Sequence, residues 1–235
     1  MTINLGLLLC DHVPDGLVTR FKDYPEMYES AFSITNREVV WSVFDACKGE
    51  LPSNPEIFDG YIITGSRFSV NDNSTWISDL ESLIESLRIK KIRMVGICFG
   101  HQLIAKCLGG EVNFSEIGWG VGCKSFHIVG RRNWMTHSGV NLTVPAFHQE
   151  QIVRLPLGSI NLASADYCKN FLVEFNENAL GIQGHPEFER EYISALLGER
   201  VAILPNKVRL HAEDSLELVP DNLLIRNWIL NFFDK

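Results

Sequence analysis

The stretch Arg93–Ile97 is short, apolar and strand-like, and it runs directly into Cys98-Phe99-Gly100 and then into the amphipathic segment Gly100–Leu108. A strand that passes into a helix within two or three residues needs glycine at both sides of the corner. Gly96-Ile97-Cys98-Phe99-Gly100 supplies that pattern, the G-x-nucleophile-x-G arrangement of a nucleophile elbow. The corner lifts Cys98 above the carboxyl edge of the sheet, where open α/β sheets place their ligands. The helix that starts near Gly100 turns its free N–H groups toward the sulfur and favours the thiolate. The N–H of Phe99 then points at the oxygen of a bound carbonyl, as half of an oxyanion hole. The same corner also suits a buried, inert cysteine. The elbow alone does not name a chemistry.

The rest of the chain reads as an α/β fold. Asn4–Leu9, Val39–Phe44 and Tyr61–Thr64 are strand-like, and Leu17–Ser33 is largely helical. Trp76, Leu80, Leu83, Ile84 and Leu87 recur at helical spacing across Trp76–Lys90. Asp72 and Asn73 are read as the start of that helix. Gly109-Gly110 closes the helix after the elbow. This alternation predicts a mostly parallel sheet flanked by helices. In the second half, Gly122–Val129, Asn141–Phe147, Ile160–Ala165, Phe171–Phe175 and Leu180–Gln183 follow one another with few helices between them. Antiparallel additions to the sheet are expected there. Phe188–Leu197 and Asp221–Phe233 are the closing helices. No repeat or linker divides the 235 residues, so one domain over residues 1–235 is expected.

Charge removes two classes of partner. The net charge is −8 and no Lys/Arg run exists, which argues against nucleic acid and anionic membranes. No apolar stretch approaches the about 20 residues of a membrane span. Leu7-Leu8-Leu9-Cys10 faintly resembles a lipoprotein cleavage site, but the preceding residues carry no Lys or Arg and the residue before Cys10 is large. A first buried strand and a cytoplasmic location are the expectations. The six cysteines form no C-x-x-C pair, and neither a disulfide framework nor a zinc site is expected. Cys10 and His12 are too few ligands for a metal.

A base for Cys98 is found in Gly184-His185-Pro186-Glu187, directly after the strand-like Leu180–Gln183. Pro186 biases His185 toward extended backbone. Residues two apart in such a segment point the same way, so Glu187 would lie beside the imidazole and orient it. A solvated turn His and a free surface Glu are the plain alternatives, and Glu189 is a competing orienter. Only the fold can bring this segment to Cys98.

Gly96-Ile-Cys-Phe-Gly-His-Gln102, with Ala105 and Gly109-Gly110, and Gly184-His-Pro-Glu187 together closely resemble the class I, triad-type glutamine amidotransferase family. The resemblance covers nearly the whole chain and implies a flavodoxin-like sheet. Ile63-Thr64-Gly65-Ser66, with Ser69-Val70, resembles the family's oxyanion loop. Gly118–Gly122 and Phe147–Gln151 resemble stretches of the subgroup near the glutaminase domain of guanylate synthase, which includes γ-glutamyl peptidases. The resemblance implies Cys98 as nucleophile, His185 as base and Glu187 as its orienter. It implies oxyanion N–H groups from Ser66 and Phe99. It places Gly65 and Gln102 at the substrate, Gln102 at its α-amino or α-carboxylate end, and Ser125 and Phe126, within Lys124–Phe126, in the same pocket. Gly65-Ser66-Arg67 departs from the usual Gly-Gly-Pro or Gly-Pro-Gly loop, so Arg67 would narrow or charge the mouth. His101 is read as structural; His148 in His-Gln-Glu-Gln is placed to approach the site, with a polar contact at a strand end as its favoured role.

The implied substrate is a small γ-glutamyl compound, glutamine or a γ-glutamyl peptide, with no cofactor and no metal. The sequence contains no G-x-x-x-x-G-K-[ST] loop, so a synthetase partner would be a separate chain. A stand-alone hydrolase or transpeptidase is the alternative, and a catalytically idle binding module is a second one. Cys98→Ala is expected to fold and to lose γ-glutamyl cleavage. A glutamine-like electrophile should label Cys98 and spare Cys10, Cys47, Cys107, Cys123 and Cys168. Peptide mapping that found the label chiefly on any of those five would overturn the assignment.

Overall fold

The computed structural model describes residues 2–136 and 139–234. Eleven strands and seven α-helices are present among them, in the order β1 (Ile3–Leu8), α1 (Asp15–Phe21), α2 (Tyr24–Ser33), β2 (Val39–Phe44), β3 (Gly60–Ile63), α3 (Thr75–Ile89), β4 (Arg93–Ile97), α4 (Phe99–Cys107), β5 (Glu111–Phe114), β6 (Gly120–Ile128), β7 (Asn141–His148), β8 (Glu150–Arg154), β9 (Ile160–Ala165), β10 (Cys168–Asn176), β11 (Ala179–Ile182), α5 (Arg190–Glu199), α6 (Asn206–Ser215) and α7 (Asn222–Phe232). Nine strands make one sheet in the order β2-β1-β3-β4-β11-β10-β9-β6-β7. The first five run parallel, and β10, β9, β6 and β7 continue the sheet antiparallel. This is the mixed α/β architecture expected from the change of pattern at mid-chain.

Strand alternation sorts the core into two layers. Ile62, Val95, Ile97, Leu180 and Ile182 face Tyr28 and Phe32 of α2 and Ile225, Trp228, Ile229 and Phe232 of α7. Tyr61, Ile63, Met94 and Ala179 face Ile77, Leu80, Ile84 and Leu87 of α3 and Leu103 and Ile104 of α4. A third cluster joins Leu17, Tyr192, Ile193, Leu197 and Ala212 on α1, α5 and α6. Strands buried on both faces read as continuous apolar runs, which is why β3, β4 and β11 are legible in the sequence.

Three details differ from the sequence reading. The stretch Leu17–Ser33 is two helices, because Asp23 accepts a hydrogen bond from the Tyr24 N–H and Pro25 sits in the first turn of α2. Ser74 rather than Asp72 or Asn73 precedes α3, and Asp72 instead accepts from the Ser69 N–H at 3.0 Å. The antiparallel ribbon β5–β8 and helix α6 lie outside the expected elements. Ala212 is the only buried residue of α6, so its apolar signal is faint. Gly109, at φ +87°, ends α4 as expected, with the Gly110 N–H donating to the Ala105 carbonyl at 2.8 Å. No helix among the described residues is long and apolar enough to cross a membrane.

The parallel register sets the site. Ile63 of β3 pairs with Gly96 of β4, and Ile97 pairs with Ile182 of β11. The three strands therefore stop at one level. A Cβ on Gly96 would lie 2.3 Å from the Gly100 carbonyl carbon, and one on Gly100 would lie 2.3 Å from the Ile63 carbonyl oxygen. Both obstacles are backbone, which cannot step aside. Gly100→Ala is expected to destabilise the fold by about 1–3 kcal/mol through this overpacking, measured by chemical denaturation. An unchanged denaturation midpoint would show that the corner has room to spare.

Candidate active site

Cys98 occupies the corner between β4 and α4 at φ 50° and ψ −97°, a positive φ that few non-glycine residues adopt. Two backbone hydrogen bonds hold it there. The Cys98 N–H donates to the Ile182 carbonyl at 2.8 Å, and the Gly100 N–H donates to the Thr64 carbonyl at 3.2 Å. Strain of this kind persists only where the surroundings over-determine it. The helix begins at Phe99, one residue earlier than read from the sequence. The Phe99 N–H is thus a first-turn donor without an intrahelical acceptor.

His185 and Glu187 meet as expected, but through a tight turn rather than an extended segment. The Phe188 N–H donates to the His185 carbonyl at 3.2 Å, with Pro186 at the turn position its ring favours. His185 Nδ1 lies 2.7 Å from Glu187 Oε1, and the residues are 4% and 2% exposed. The imidazole stacks on Phe188 with ring centres 4.2 Å apart. Glu189 does not compete, because Arg226 of α7 pairs with it. Arg226 Nε also donates to the Pro186 carbonyl at 2.7 Å, bracing the turn from below.

The oxyanion-loop candidates reach the same place. A Cβ on Gly65 would lie 2.7 Å from His185 Cε1 and 3.7 Å from the Cys98 Cβ, so only glycine lets this loop pass. The Ser66 hydroxyl donates to the Cys10 carbonyl at 2.8 Å. The backbone N–H groups of Ser66 and Phe99 have no acceptor among the described residues. Arg67 is clamped by the buried Asp11, which accepts from its Nε and from its backbone N–H at 2.9 Å each. Gly65, Ser66, Cys98, Gln102 and His185 together line a cleft of about 250 Å³, with Arg67 and Arg200 on its wall.

Gln102 points its amide nitrogen away from open space. Nε2 donates to the Glu150 carbonyl at 2.7 Å and to Gln183 Oε1 at 3.2 Å. Both of its N–H groups are used, and only Oε1 is left for a ligand. Ser125 and Phe126 do not line the cleft, contrary to expectation. Ser125 pairs with the Thr143 hydroxyl at 3.0 Å, and Phe126 stacks on Phe171 in the core at 4.5 Å. The physical reason is strand length. Gly120, at the start of β6, lies against His148 near the site, and each further residue moves about 3.3 Å along the strand.

One residue near the sulfur escapes the sequence reading, and a second takes the less favoured of its two readings. Gln183 is wholly buried and donates from Nε2 to Cys98 Sγ at 3.4 Å. The sequence marks it only as the end of a strand. His148 ends β7 and lines the cleft while 6% exposed. The His-Gln-Glu-Gln stretch offers an approach to the site beside the favoured strand-end contact. His101 is structural, with Nε2 at 3.0 Å from the Asn170 carbonyl. His12, Asp45 and Cys47 bring possible metal-ligand atoms within 4.8 Å of one another. Both His12 nitrogens already face carboxylates, Asp23 at 2.6 Å and Asp45 at 3.1 Å, and Lys48 pairs with Asp45. The candidate ligand atoms are already engaged in hydrogen bonds around His12 and in the Lys48–Asp45 ion pair.

Burial pushes the thiols of Cys47, Cys107 and Cys168 up to about 12 and raises those of Cys10 and Cys123. Those five are poor nucleophiles at neutral pH. Burial alone would lower the pKa of His185, but the charges of Glu187 and Cys98 and their hydrogen bonds to the ring carry it up to about 10. A histidine raised in the folded state contributes stability that is fully present below its ordinary value of 6.5 and is lost as pH rises through about 10. Removing the sulfur in Cys98→Ala should therefore move the His185 titration to lower pH, read from imidazole proton shifts. An unmoved or higher titration would show that the sulfur does not face the ring.

The match to known proteins agrees with this geometry. Residues 38–198 match the family model described as glutamine amidotransferase class-I. Gamma-glutamyl peptidase 3 of Arabidopsis thaliana is 26% identical over 97% of this chain and 94% of its own. One subunit of the glutamine-hydrolysing GMP synthase of Sulfolobus acidocaldarius is 33% identical over 55% of this chain and 68% of its own. The crystal structure of a glutamine amidotransferase from Thermotoga maritima superposes with a TM-score of 0.76 at 21% identity, covering 99% of both chains, which bears on the fold. With that family match spanning most of the chain, and with the sheet and cleft described above, this protein belongs to the class-I glutamine amidotransferase family.

Proposed function

We propose that the chain, as a single domain over residues 1–235, hydrolyses γ-glutamyl amide bonds through a thioester on Cys98. The observation that carries this reading is the buried His185–Glu187 pair set beside a cysteine at a helix N-terminus. In the first half, the Cys98 thiolate attacks the γ-carbonyl, and the N–H groups of Ser66 and Phe99 receive the oxyanion. The C–N bond breaks and His185 gives its proton to the departing amine or ammonia. In the second half, His185 takes a proton from water, whose oxygen attacks the thioester, and glutamate leaves. Glu187 keeps the imidazole oriented and stabilises its charged form.

Substrate polarity follows from Gln102. With both amide N–H groups committed, its Oε1 accepts from the α-ammonium of the γ-glutamyl group. Arg67 is held in place by Asp11 and charges the mouth on the leaving-group side. This favours a γ-glutamyl compound whose departing amine carries its own carboxylate over free glutamine. The relative that spans nearly the whole chain bears the name γ-glutamyl peptidase, which supports the same choice. A second reading is an amidotransferase that feeds ammonia to a separate synthetase chain. It is favoured by the relative named as one part of a GMP synthase.

Steady-state glutamate release over glutamine and a panel of γ-glutamyl peptides, with and without ATP and Mg²⁺, tests both. The expected result is ATP-independent release with higher kcat/KM for peptides. His185→Ala should be nearly as damaging as Cys98→Ala, and Glu187→Gln milder by on the order of a hundredfold, since an orienter matters less than nucleophile or base. Glutamine use coupled to ATP consumption by the lone chain would contradict the reading. Silence toward every γ-glutamyl compound until a partner protein is added would favour the second one.

A further inference from the structure

Cys98 has a neighbour that the proposed cycle does not use. Gln183 follows the last residue of β11 and is 0% exposed. Its backbone is fixed by donation from its N–H to the Phe171 carbonyl at 2.8 Å. Its side chain lies between Gln102 and the sulfur, with Oε1 accepting from Gln102 Nε2 at 3.2 Å and Nε2 donating to Cys98 Sγ at 3.4 Å.

The direction of this chain of bonds is forced. The Glu150 carbonyl, 2.7 Å from Gln102, can only accept, so the Gln102 amide nitrogen must face it. The second N–H of that nitrogen then requires an oxygen opposite, and this turns the Gln183 carbonyl toward Gln102. The NH₂ group of Gln183 is left facing the sulfur. A reversed amide would set nitrogen against nitrogen at Gln102, an unmatched contact between buried side chains, and would leave a carbonyl oxygen facing the sulfur, which repels the thiolate.

A donor aimed at sulfur discriminates between its two states. A hydrogen bond to a charged acceptor is roughly twice as strong as one between neutral groups, and low local polarity strengthens it further. We propose that Gln183 is a catalytic residue that holds Cys98 as the thiolate before attack and again as it leaves the thioester. This rests on the thioester cycle proposed above. In the leaving step, the water oxygen bonds to the acyl carbon, the C–S bond breaks and its electron pair goes to sulfur. His185 holds the proton from water at that moment, so the sulfur departs as an anion that the Gln183 amide receives. Because Gln183 is tied to Gln102, the nucleophile also shares one hydrogen-bond network with the residue that accepts the substrate's ammonium.

The surrounding groups make the idea measurable. Beside the sulfur stand His185, carried up to about 10, and Cys168 on β10, pushed up by burial to about 12. His148, across the cleft, is pulled down by burial to about 3. His148 and Cys168 keep one charge state across the neutral range, while His185 titrates together with the sulfur it faces. The rate of Cys98 alkylation by iodoacetamide between pH 6 and about 9 therefore reads the sulfur with its His185 partner. A change on replacing Gln183 alone reports the amide, and the measurement needs no γ-glutamyl turnover. In Gln183→Met, which keeps the volume and removes the donor, the profile should move to higher pH by about one unit, with alkylation below the midpoint down about tenfold. A profile that overlays that of the unsubstituted protein would overturn the proposal and leave Gln183 as packing. Should that variant fail to fold, the Gln183 side-chain amide signal of the unsubstituted protein gives the answer by NMR. It should shift with pH over the same range as alkylation and stay still in Cys98→Ala; a signal equally still in both would overturn the proposal. If these shifts appear while no γ-glutamyl compound is cleaved, the functional reading fails and the sulfur contact stands.

Discussion

Three parallel strands, β3, β4 and β11, end at the same level of the sheet, and each passes into a turn that carries one part of the site. The bond from the Cys98 N–H to the Ile182 carbonyl, and that from the Gly100 N–H to the Thr64 carbonyl, tie the three turns together. A shift of register by one residue would reverse every side chain on β4 between the two helical layers. It would also carry Cys98 away from His185. The alternation of Met94 toward α3 and α4, and of Val95 and Ile97 toward α2 and α7, makes such a shift costly. Hydrophobic layering is therefore what positions Cys98.

Electrostatics differ sharply among three buried histidines. His101 and His148 are drawn down to about 3, because burial penalises their charge and no carboxylate offsets it. His185 is as buried and is carried up to about 10 by Glu187 and Cys98. A buried charge is tolerated only with a well-placed partner, and Glu187 at 2.7 Å is that partner. The neutral His148 adds a polar edge to the cleft without competing for the proton of His185. The Arg226 and Asn222 bonds to the backbone of Pro186 and Phe188 show how far the support extends. Helix α7 packs under the sheet, and it also anchors the turn that carries His185.

The mouth of the cleft follows a different logic. Part of its wall is a short loop whose sequence departs from the family pattern at Ser66 and Arg67, with Asp11, Glu150 and Arg200 as the other charged groups lining it. Asp11, at the end of β1's outgoing segment, accepts from both the side chain and the backbone of Arg67. The loop is thus fixed through its ends and through an ion pair, while the Ser66 hydroxyl fastens it to Cys10. The N–H groups of Arg67, Phe68 and Ser69 are all taken by acceptors on Asp11, Ser66 and Asp72, which leaves the Ser66 N–H at the cleft without an acceptor among the described residues.

How much of this is readable from the chain alone depends on the range of the interaction. Local chemistry is legible: the glycines around Cys98, the turn-forming Pro186, the apolar strands buried on both faces and the closure of α4 at Gly109. The family pattern extends that to the roles expected of Cys98, His185 and Glu187. Errors arise where position is set across the fold. Ser125 and Phe126 share a strand with residues at the cleft, yet distance along β6 and packing on Phe171 take them away from it. Gln183 and His148 look like strand ends, and only the pairing of β11 with β4 and of β7 with β6 brings them to the sulfur and the cleft. The amino-acid sequence by itself determined which residues could turn, cap, bury or react, because those properties are fixed within a few bonds. The tertiary structure alone decided which of them share one enclosed space, because hydrogen-bond direction, burial and pKa depend on neighbours drawn from distant parts of the chain.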